Sequence, residues 1–209
     1  ETELPIIQTL PVPKGSPEFE EKRKSILQEL AFKVPLEHRI SRHYVSNPPK
    51  DVSQIPRECG ILSDTEIEIT EQYDATALAQ AIAAGKFSAV SVAQAFIKRS
   101  IICHQVSCCL TQWMPELAIK RAQELDDYFA RTGKTVGPLH GVPVSVKQHI
   151  ALADTYSEMG FLATRIYDTS DSVLVANLRN LGAVFYCKTA RKCRFSCSKP
   201  LRVFALTFW

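Results

Sequence analysis

The residue with the clearest chemical potential is Lys147, which ends the stretch G-P-L-H-G-V-P-V-S-V-K at residues 137–147. Three valines alternate there with Pro143, Ser145 and Lys147 after a Gly-Pro turn. This period of two predicts a β-strand over residues 142–147. Pro143 restricts the prediction to a strand start or an edge strand, because proline donates no hydrogen bond. Open α/β sheets bind ligands beyond the carboxyl ends of their strands, so the strand would present Lys147 at a reactive edge.

A lysine side chain acts as a base only after its ammonium has lost a proton. The ordinary lysine pKa of about 10.4 keeps the group protonated at neutral pH, and burial in an apolar, positively biased pocket favours the neutral amine. A neutral lysine can then accept a proton, through a bridging hydroxyl, from a nucleophilic serine. Strand spacing by itself favours a solvated lysine, so the chemical interpretation needs the wider sequence.

Three other polar side chains lie close to Lys147 in the sequence. Ser145 shares its strand face, but no general base for a serine nucleophile is evident, and we interpret Ser145 as structural. His140 and His149 flank the strand. A Ser-His hydrolase would need a G-x-S-x-G elbow and a carboxylate partner, and no such elbow occurs. We therefore predict structural roles for both histidines.

A thiol-rich segment around residue 105 offers a second kind of chemistry, metal binding. Zinc sites usually contain two Cys-x2–4-Cys pairs, whereas this segment has one loose pair with no second pair near it. A pair near the carboxyl end is equally weak. We predict partly buried thiols and no metal site. The residues concerned are Cys103, His104, Cys108 and Cys109, and separately Cys193 and Cys197.

The lysine stretch resembles the lysine motif of the amidase signature family. Its sequence neighbours strengthen the resemblance, and their order is similar to the fungal acetamidase branch. The resemblance covers residues 51–189. The further stretches that carry it are I-P-R-E-C-G-I-L-S at 55–63, D-A-T-A-L at 74–78, G-K-F-S-A-V at 85–90 and L-G-A-V-F-Y-C-K-T at 181–189.

This resemblance implies an α/β fold, the N-terminal part of the amidase signature fold, with a mixed central sheet flanked by helices and incomplete in these residues. It implies hydrolysis of a small carboxamide by a Ser–cis-Ser–Lys triad, in which Lys147 is the catalytic lysine and no cofactor is used. Gln148 stands where many family members carry Asp. In the family, the two serines and the oxyanion N–H groups come from a Gly/Ser-rich region, and no such run occurs here. We therefore expect the 209-residue chain alone to be inactive.

Two alternatives stay open at this point. One is the related amidotransferase subunit, which makes ammonia for a transfer RNA-linked reaction, although the stretches at 60–63 and 74–78 fit the acetamidase branch better. The other is a non-catalytic truncated product that associates with itself or other chains. The reason for this alternative is that the strands at 142–146 and 183–186 would expose unpaired edges if no further strands paired with them.

Composition excludes several other classes. The chain is 45% hydrophobic and 22% charged, which is ordinary for a globular protein, and its net charge of +3 is too small to indicate a nucleic-acid partner. No apolar run reaches the length of about 18 residues that indicates a membrane span. The start is not a signal peptide, and the seven cysteines form no regular framework. These features favour a cytoplasmic protein with reduced thiols.

The chain divides into three predicted regions. Residues 1–50 form an N-terminal arm and helix, and residues 51–189 form the partial amidase domain. Residues 190–209 form an aberrant tail with five basic and no acidic residues and an almost wholly apolar end. We interpret this tail as foreign to the family, from a shifted reading frame or a retained intron.

Capping and periodicity predict the elements that must position Lys147. Residues 38–51 are predicted to be a linker and residues 150–170 a loop with short ordered pieces. A strand, a helix and a strand from 142 to 186 indicate a parallel crossover. Helices are predicted over 17–33, 62–70, 75–84, from either 88 or 91 to 104, 115–131 and 171–181, and strands over 108–113, 142–147 and 183–186.

Overall fold

Three strands pair into a mixed sheet that carries the lysine stretch. The computed structural model describes residues 3–8 and 14–190. The strands are β1 (Leu110–Trp113), β2 (Pro143–Lys147), β3 (Thr155–Ser157), β4 (Ile166–Asp168) and β5 (Val184–Thr189). The sheet order is β1-β5-β2, and a second sheet pairs β3 with β4. β2 runs parallel to β5, and β1 runs antiparallel to it, which confirms the predicted crossover and the α/β class.

Helices surround this sheet on both faces. Their predicted starts are confirmed where a polar side chain caps the first turn: Ser16, Ser63, Asp74, Ser88 and Ser172 each accept a backbone N–H there, as N-cap residues do. The helices are α1 (Pro17–Lys33), α2 (Arg42–Ser46), α3 (Ile55–Glu58), α4 (Asp64–Glu71), α5 (Ala75–Ala83), α6 (Ala89–Ser107), α7 (Pro115–Thr132) and α8 (Val173–Asn180).

Helices α6 and α7 cover one face of the sheet, and α8 covers the other. On the first face, Ile101 and Leu125 pack with Tyr186 and the buried part of β1. On the second, Val175 packs with Val146 and residues of β5. Residue Val184 of the central strand is fully buried. Burial on both faces explains why β5 is a continuous apolar run rather than an alternating pattern.

A turn before β2 lies directly on the end of α8. The Leu139 N–H donates to the Leu181 carbonyl at 2.9 Å, and the Gly141 N–H donates to the Gly182 carbonyl at 2.9 Å. A Cβ on Gly182, whose φ is +98°, would lie 2.7 Å from the His140 Cα, closer than packed carbon atoms allow. Glycine is therefore required at residue 182 both by the backbone conformation and by the close approach.

Four predictions need correction. Residues 38–51 are not a plain linker: α2 lies there, and Ile40 is buried at 3% exposure. The spacing of Phe19, Ile26, Leu27 and Leu30 predicts that one face of α1 docks on the core, but Phe19 and Leu27 are 40% and 41% exposed. β1 begins at Leu110 because Cys108 takes a left-handed conformation that ends α6. β5 extends three residues beyond the predicted strand end, to Thr189.

The predicted loop at 150–170 contains a hairpin. Its strands β3 and β4 pair Tyr156 with Tyr167, and the two rings meet edge to face with centroids 5.2 Å apart. A short 3-10 helix, Leu162–Thr164, connects them. In the part of the chain that the structure describes, no helix has the length and apolar character to cross a bilayer.

The close contact at Gly182 gives a stability prediction. We expect Gly182→Ala to lower the free energy of unfolding by roughly 3 kcal/mol, because the methyl group adds a backbone clash to the strain of positive φ. Gly85→Ala is the matched control: its φ is +72°, yet no atom lies within 4 Å of the added Cβ, so only strain of about 1 kcal/mol is expected. Urea unfolding followed by circular dichroism measures both losses, and equal losses would contradict the packing argument.

Candidate active site at the ends of strands β2 and β5

Lys147 lies at the carboxyl end of β2, where the neighbouring parallel strand also ends. It is opposite Thr189 in the register of β2 and β5. Its side chain is exposed, whereas Val146, which points to the opposite face, is buried. The Ile150 N–H donates to the Lys147 carbonyl at 2.9 Å, so a tight turn follows the lysine at once. The described residues thus leave the amine open to solvent rather than in the apolar pocket expected for a base.

The immediate surroundings of Lys147 are main-chain carbonyls and neutral thiols. Its Nζ donates to the Ala190 carbonyl at 3.5 Å, and the Ala190 N–H donates to the Cys109 carbonyl at 2.9 Å. Burial raises the pKa of the Cys109 thiol, a shift that the Ser107 hydroxyl and the Lys147 ammonium partly oppose. Burial also raises the pKa of the Cys187 thiol well above its ordinary range. Both thiols are therefore uncharged near neutral pH, and neither supplies an anion to pair with the lysine.

Ser145 lies on the same strand face as Lys147 and is also exposed. The register places it opposite Cys187 on β5, just after an irregularity in the pairing. No imidazole or carboxylate hydrogen-bonds to the Ser145 hydroxyl in the described residues, so the structure gives this serine no activating base.

The two flanking histidines differ in burial. His140 is 2% exposed; its Nδ1 accepts the Val136 N–H at 3.0 Å, and its ring lies 5.9 Å from that of Phe129. Burial lowers the pKa of His140, although Asp126 opposes the shift. His149 is half-buried in the turn after β2. The contacts of His140 hold the turn before β2.

The thiol-rich segment is split between a helix end and a strand start. Burial raises the pKa of Cys103 to about 12, as expected of an inert core thiol. His104 is 2% exposed, and its Nδ1 accepts the Leu110 N–H at 3.0 Å. Within residues 3–8 and 14–190, no cluster of three or more His, Cys, Asp and Glu side chains is placed to hold a metal ion. Cys193 and Cys197 lie outside the described residues.

Sequence reasoning missed a buried ion pair on the opposite face of β5. The Lys188 side chain is fully buried, and its Nζ lies 3.3 Å from an Asp168 carboxylate oxygen on β4. The same ammonium donates to the Tyr156 carbonyl at 2.8 Å. Burial lowers the pKa of Lys188, and pairing with Asp168 opposes that shift. A lysine inside the apolar run V-F-Y-C-K-T was the available signal, because charged residues are buried only when paired.

Comparison with known proteins identifies the family to which the chain is similar. The family model described as Amidase matches residues 91–195, just over half of the chain. An amidase of Gibberella moniliformis is 42% identical over 153 residues, and an acetamidase of Emericella nidulans is 39% identical over 163 residues. Among solved structures, a fatty acid amide hydrolase superposes with a TM-score of 0.70 at 32% identity over 82% of this chain.

The matched region is a part of each relative. It covers 72% of this chain but 29% of the Gibberella amidase, and 77% of this chain but 29% of the Emericella acetamidase. The superposition includes 31% of the fatty acid amide hydrolase chain. The chain thus spans less than a third of the length of these relatives.

Buried His104 gives a pH-dependence prediction. Burial lowers its pKa from 6.5 to about 4, so between these values the unfolded chain binds more protons than the folded chain. Above about pH 6.5, neutral His104 makes its full contribution to the free energy of unfolding. This contribution is lost as the pH drops towards about 4, and the loss reaches up to about 3 kcal/mol.

The measurement is the urea midpoint of the 209-residue chain at pH 7.5 and pH 5. We expect His104→Gln to reduce the loss between these pH values, because glutamine accepts the Leu110 N–H without titrating. His43→Gln is the control, since His43 is exposed and should leave the loss unchanged. An undiminished loss in His104→Gln would show that other groups cause it.

Proposed function

The chain belongs to the amidase family, and we propose that Lys147 is the general base of an amide-hydrolysing site. The observation that supports this role is the position of Lys147 at the carboxyl end of β2, a strand that runs parallel to β5. Open α/β sheets bind substrates at such edges. In the described part of the chain, moreover, no carboxylate forms an ion pair with Lys147, so its charge has no such structural role there.

The proposed reaction is acyl transfer through a Ser–cis-Ser–Lys triad. Neutral Lys147 accepts a proton from the bridging serine, which accepts one from the nucleophilic serine as its oxygen attacks the amide carbonyl. The tetrahedral oxyanion is stabilised by backbone N–H groups. The carbon–nitrogen bond then breaks and ammonia leaves with a returned proton. Water attacks the acyl-serine, releases the carboxylic acid and restores the serine hydroxyl.

We propose that residues 1–209 supply the lysine of this triad and that both serines belong to a Gly/Ser-rich region outside them. No Gly/Ser-rich run occurs in these residues, and Ser145 has no activating base. The proposed substrate is a small carboxamide. The names amidase and acetamidase carried by the relatives support amide hydrolysis over the amidotransferase alternative.

Substitution of Lys147 tests the proposal. In the enzyme that contains these residues together with the serines, we expect Lys147→Met to reduce kcat for acetamide by at least about a thousandfold, because the nucleophile loses its proton acceptor. Lys147→Arg should be equally inactive, since a guanidinium keeps its proton. Lys120→Met, at an exposed position of α7, is the control.

The 209-residue chain alone should release no ammonia from acetamide in the same assay. Retained activity in Lys147→Met would exclude the lysine as the base. Activity of the short chain that survives Lys147→Met would show a different catalytic apparatus within these residues.

A second candidate function, self-association, is supported by a specific exposed surface. Strand β2 is an edge of the sheet in the described residues, and an unpaired edge can accept another chain. Val173 and Leu174 at the start of α8 are 79% and 56% exposed. We propose that the 209-residue chain associates with itself through this edge and the exposed apolar side chains of α8.

Sedimentation velocity tests the association. We expect a weight-average mass above the monomer mass of 23.4 kDa at micromolar concentration. Val173→Asp with Leu174→Asp should restore the monomer, because acidic residues suit the first turn of a helix and add charge to the surface. Phe32→Asp, at a 93% exposed site on α1, is the control. A monomeric wild-type chain would exclude this candidate.

A further inference from the structure

Lys188 occupies an unusual position for a charged residue. It lies inside the central strand β5, and its side chain is fully buried. Its ammonium has two oxygen partners, an Asp168 carboxylate oxygen at 3.3 Å and the Tyr156 carbonyl at 2.8 Å. Asp168 also accepts the Ser157 hydroxyl at 2.9 Å. Burying such a pair costs desolvation energy that its attraction often only offsets, so net stability is a weak reason for its presence.

The ion pair fastens the β3–β4 hairpin to the sheet at one point. Gln112 on β1 is the register neighbour of Lys188, and its carboxamide oxygen accepts the Tyr156 N–H at 2.9 Å. The Gln112 amide nitrogen also donates to the Tyr156 carbonyl. Two adjacent side chains of the sheet therefore hold the main chain of one hairpin residue.

The hairpin in turn contacts the residue that follows Lys147. The Glu158 N–H, just after β3, donates to the Gln148 carbonyl at 3.1 Å. The Gln148 N–H donates to the Thr189 carbonyl at 3.0 Å, next to Lys188 itself. Gln148 is therefore held from both sides, by β5 and by the hairpin that Lys188 fastens.

We propose that Lys188 is a positioning residue for Lys147, acting through the hairpin and Gln148. This inference rests on the proposed function of Lys147. Its physical basis is that an ammonium with two fixed oxygen partners restricts the hairpin in direction as well as distance. The hairpin then restricts the turn in which the lysine strand ends. A catalytic amine misplaced by about 1 Å can lose roughly a hundredfold in rate.

The first experiment measures amide hydrogen exchange on the 209-residue chain and needs no activity. We expect Lys188→Met to speed exchange of the Gln148 and Glu158 amides by at least about tenfold, with a much smaller change in buried helix α6. Lys33→Met is the matched control, because Lys33 forms an exposed pair with Glu29 at 2.9 Å. Equal acceleration in α6 and at Gln148 would show only a global stability role and overturn the proposal.

A double variant separates lost positioning from a stranded charge. Lys188→Met leaves the Asp168 carboxylate buried without its cation, whereas Lys188→Met with Asp168→Asn removes both charges. We expect the double variant to recover stability in urea while its Gln148 and Glu158 amides still exchange fast, because both variants lack the Lys188 bond to the Tyr156 carbonyl and keep only that of Gln112. If slow exchange returned in the double variant, the fast exchange in Lys188→Met would be caused by the unpaired Asp168 carboxylate and not by lost positioning.

The second experiment measures kinetics in the enzyme that contains these residues and the serines. We expect the double variant to lower kcat for acetamide by between about tenfold and about a hundredfold, with KM changed less than about twofold. Unchanged kcat together with fast exchange at Gln148 would overturn the positioning role. If the wild-type enzyme hydrolyses no amide, the proposed function fails, while hydrogen exchange still decides whether Lys188 fixes the turn after β2.

Discussion

The close backbone contact between residues 137–141 and Leu181–Gly182 is the constraint on which the rest of the site depends. Two hydrogen bonds join these segments before either strand begins, and a side chain at residue 182 would not fit between them. The contact fixes where β2 starts relative to β5. Both strands then run in parallel, and their register shifts by one residue between Val144 and Ser145, so that Lys147 lies beside Thr189. The position of the proposed base is therefore set by hydrogen bonds of Leu139 and Gly141, in a turn that takes no part in the chemistry, together with the register shift inside the strand pair.

Helix α6 connects the sheet to the N-terminal region through polar contacts at both of its ends. Asp126 of α7 accepts the Ala89 and Val90 N–H groups at 2.7 and 3.0 Å, which satisfies free donors at the α6 start. At the other end, the buried Gln105 side chain accepts the Ile40 N–H and donates to the His38 carbonyl. These polar contacts explain why residues 38–51 pack on the domain instead of forming a linker: one buried amide satisfies backbone groups that a loop would otherwise leave to water.

Local signals in the sequence predicted the parts of the fold that depend on neighbouring residues. N-cap serines, Pro17 and Pro115 at helix starts and glycine stops gave most helix bounds, and valine alternation gave β2. The attachment of the hairpin at 155–168 to the sheet could not be predicted. It depends on hydrogen bonds from Gln112 and Lys188 to the Tyr156 main chain, and these residues lie 44 and 32 residues away from Tyr156. Such contacts arise only once β1 and β5 are adjacent. The depth of α1 was overestimated for a related reason, since apolar spacing gives a face but not what covers it.

Lys147 and Lys188 are two lysines of the same sheet with different roles, a proposed base and a buried structural cation. Lys147 ends β2, and Lys188 is the last residue but one of the parallel strand β5, so the two lie one register position apart. The alternation of side chains along a strand directs them to opposite faces. Lys188 pairs with Asp168 in the interior, where an ammonium without an anion would be too costly to keep charged. Its charge therefore has a structural role in this ion pair. Lys147 faces outward, and in residues 3–8 and 14–190 no carboxylate pairs with it. An amine without an ion pair can exchange a proton without breaking a contact of the fold, which is one of the properties that a general base requires.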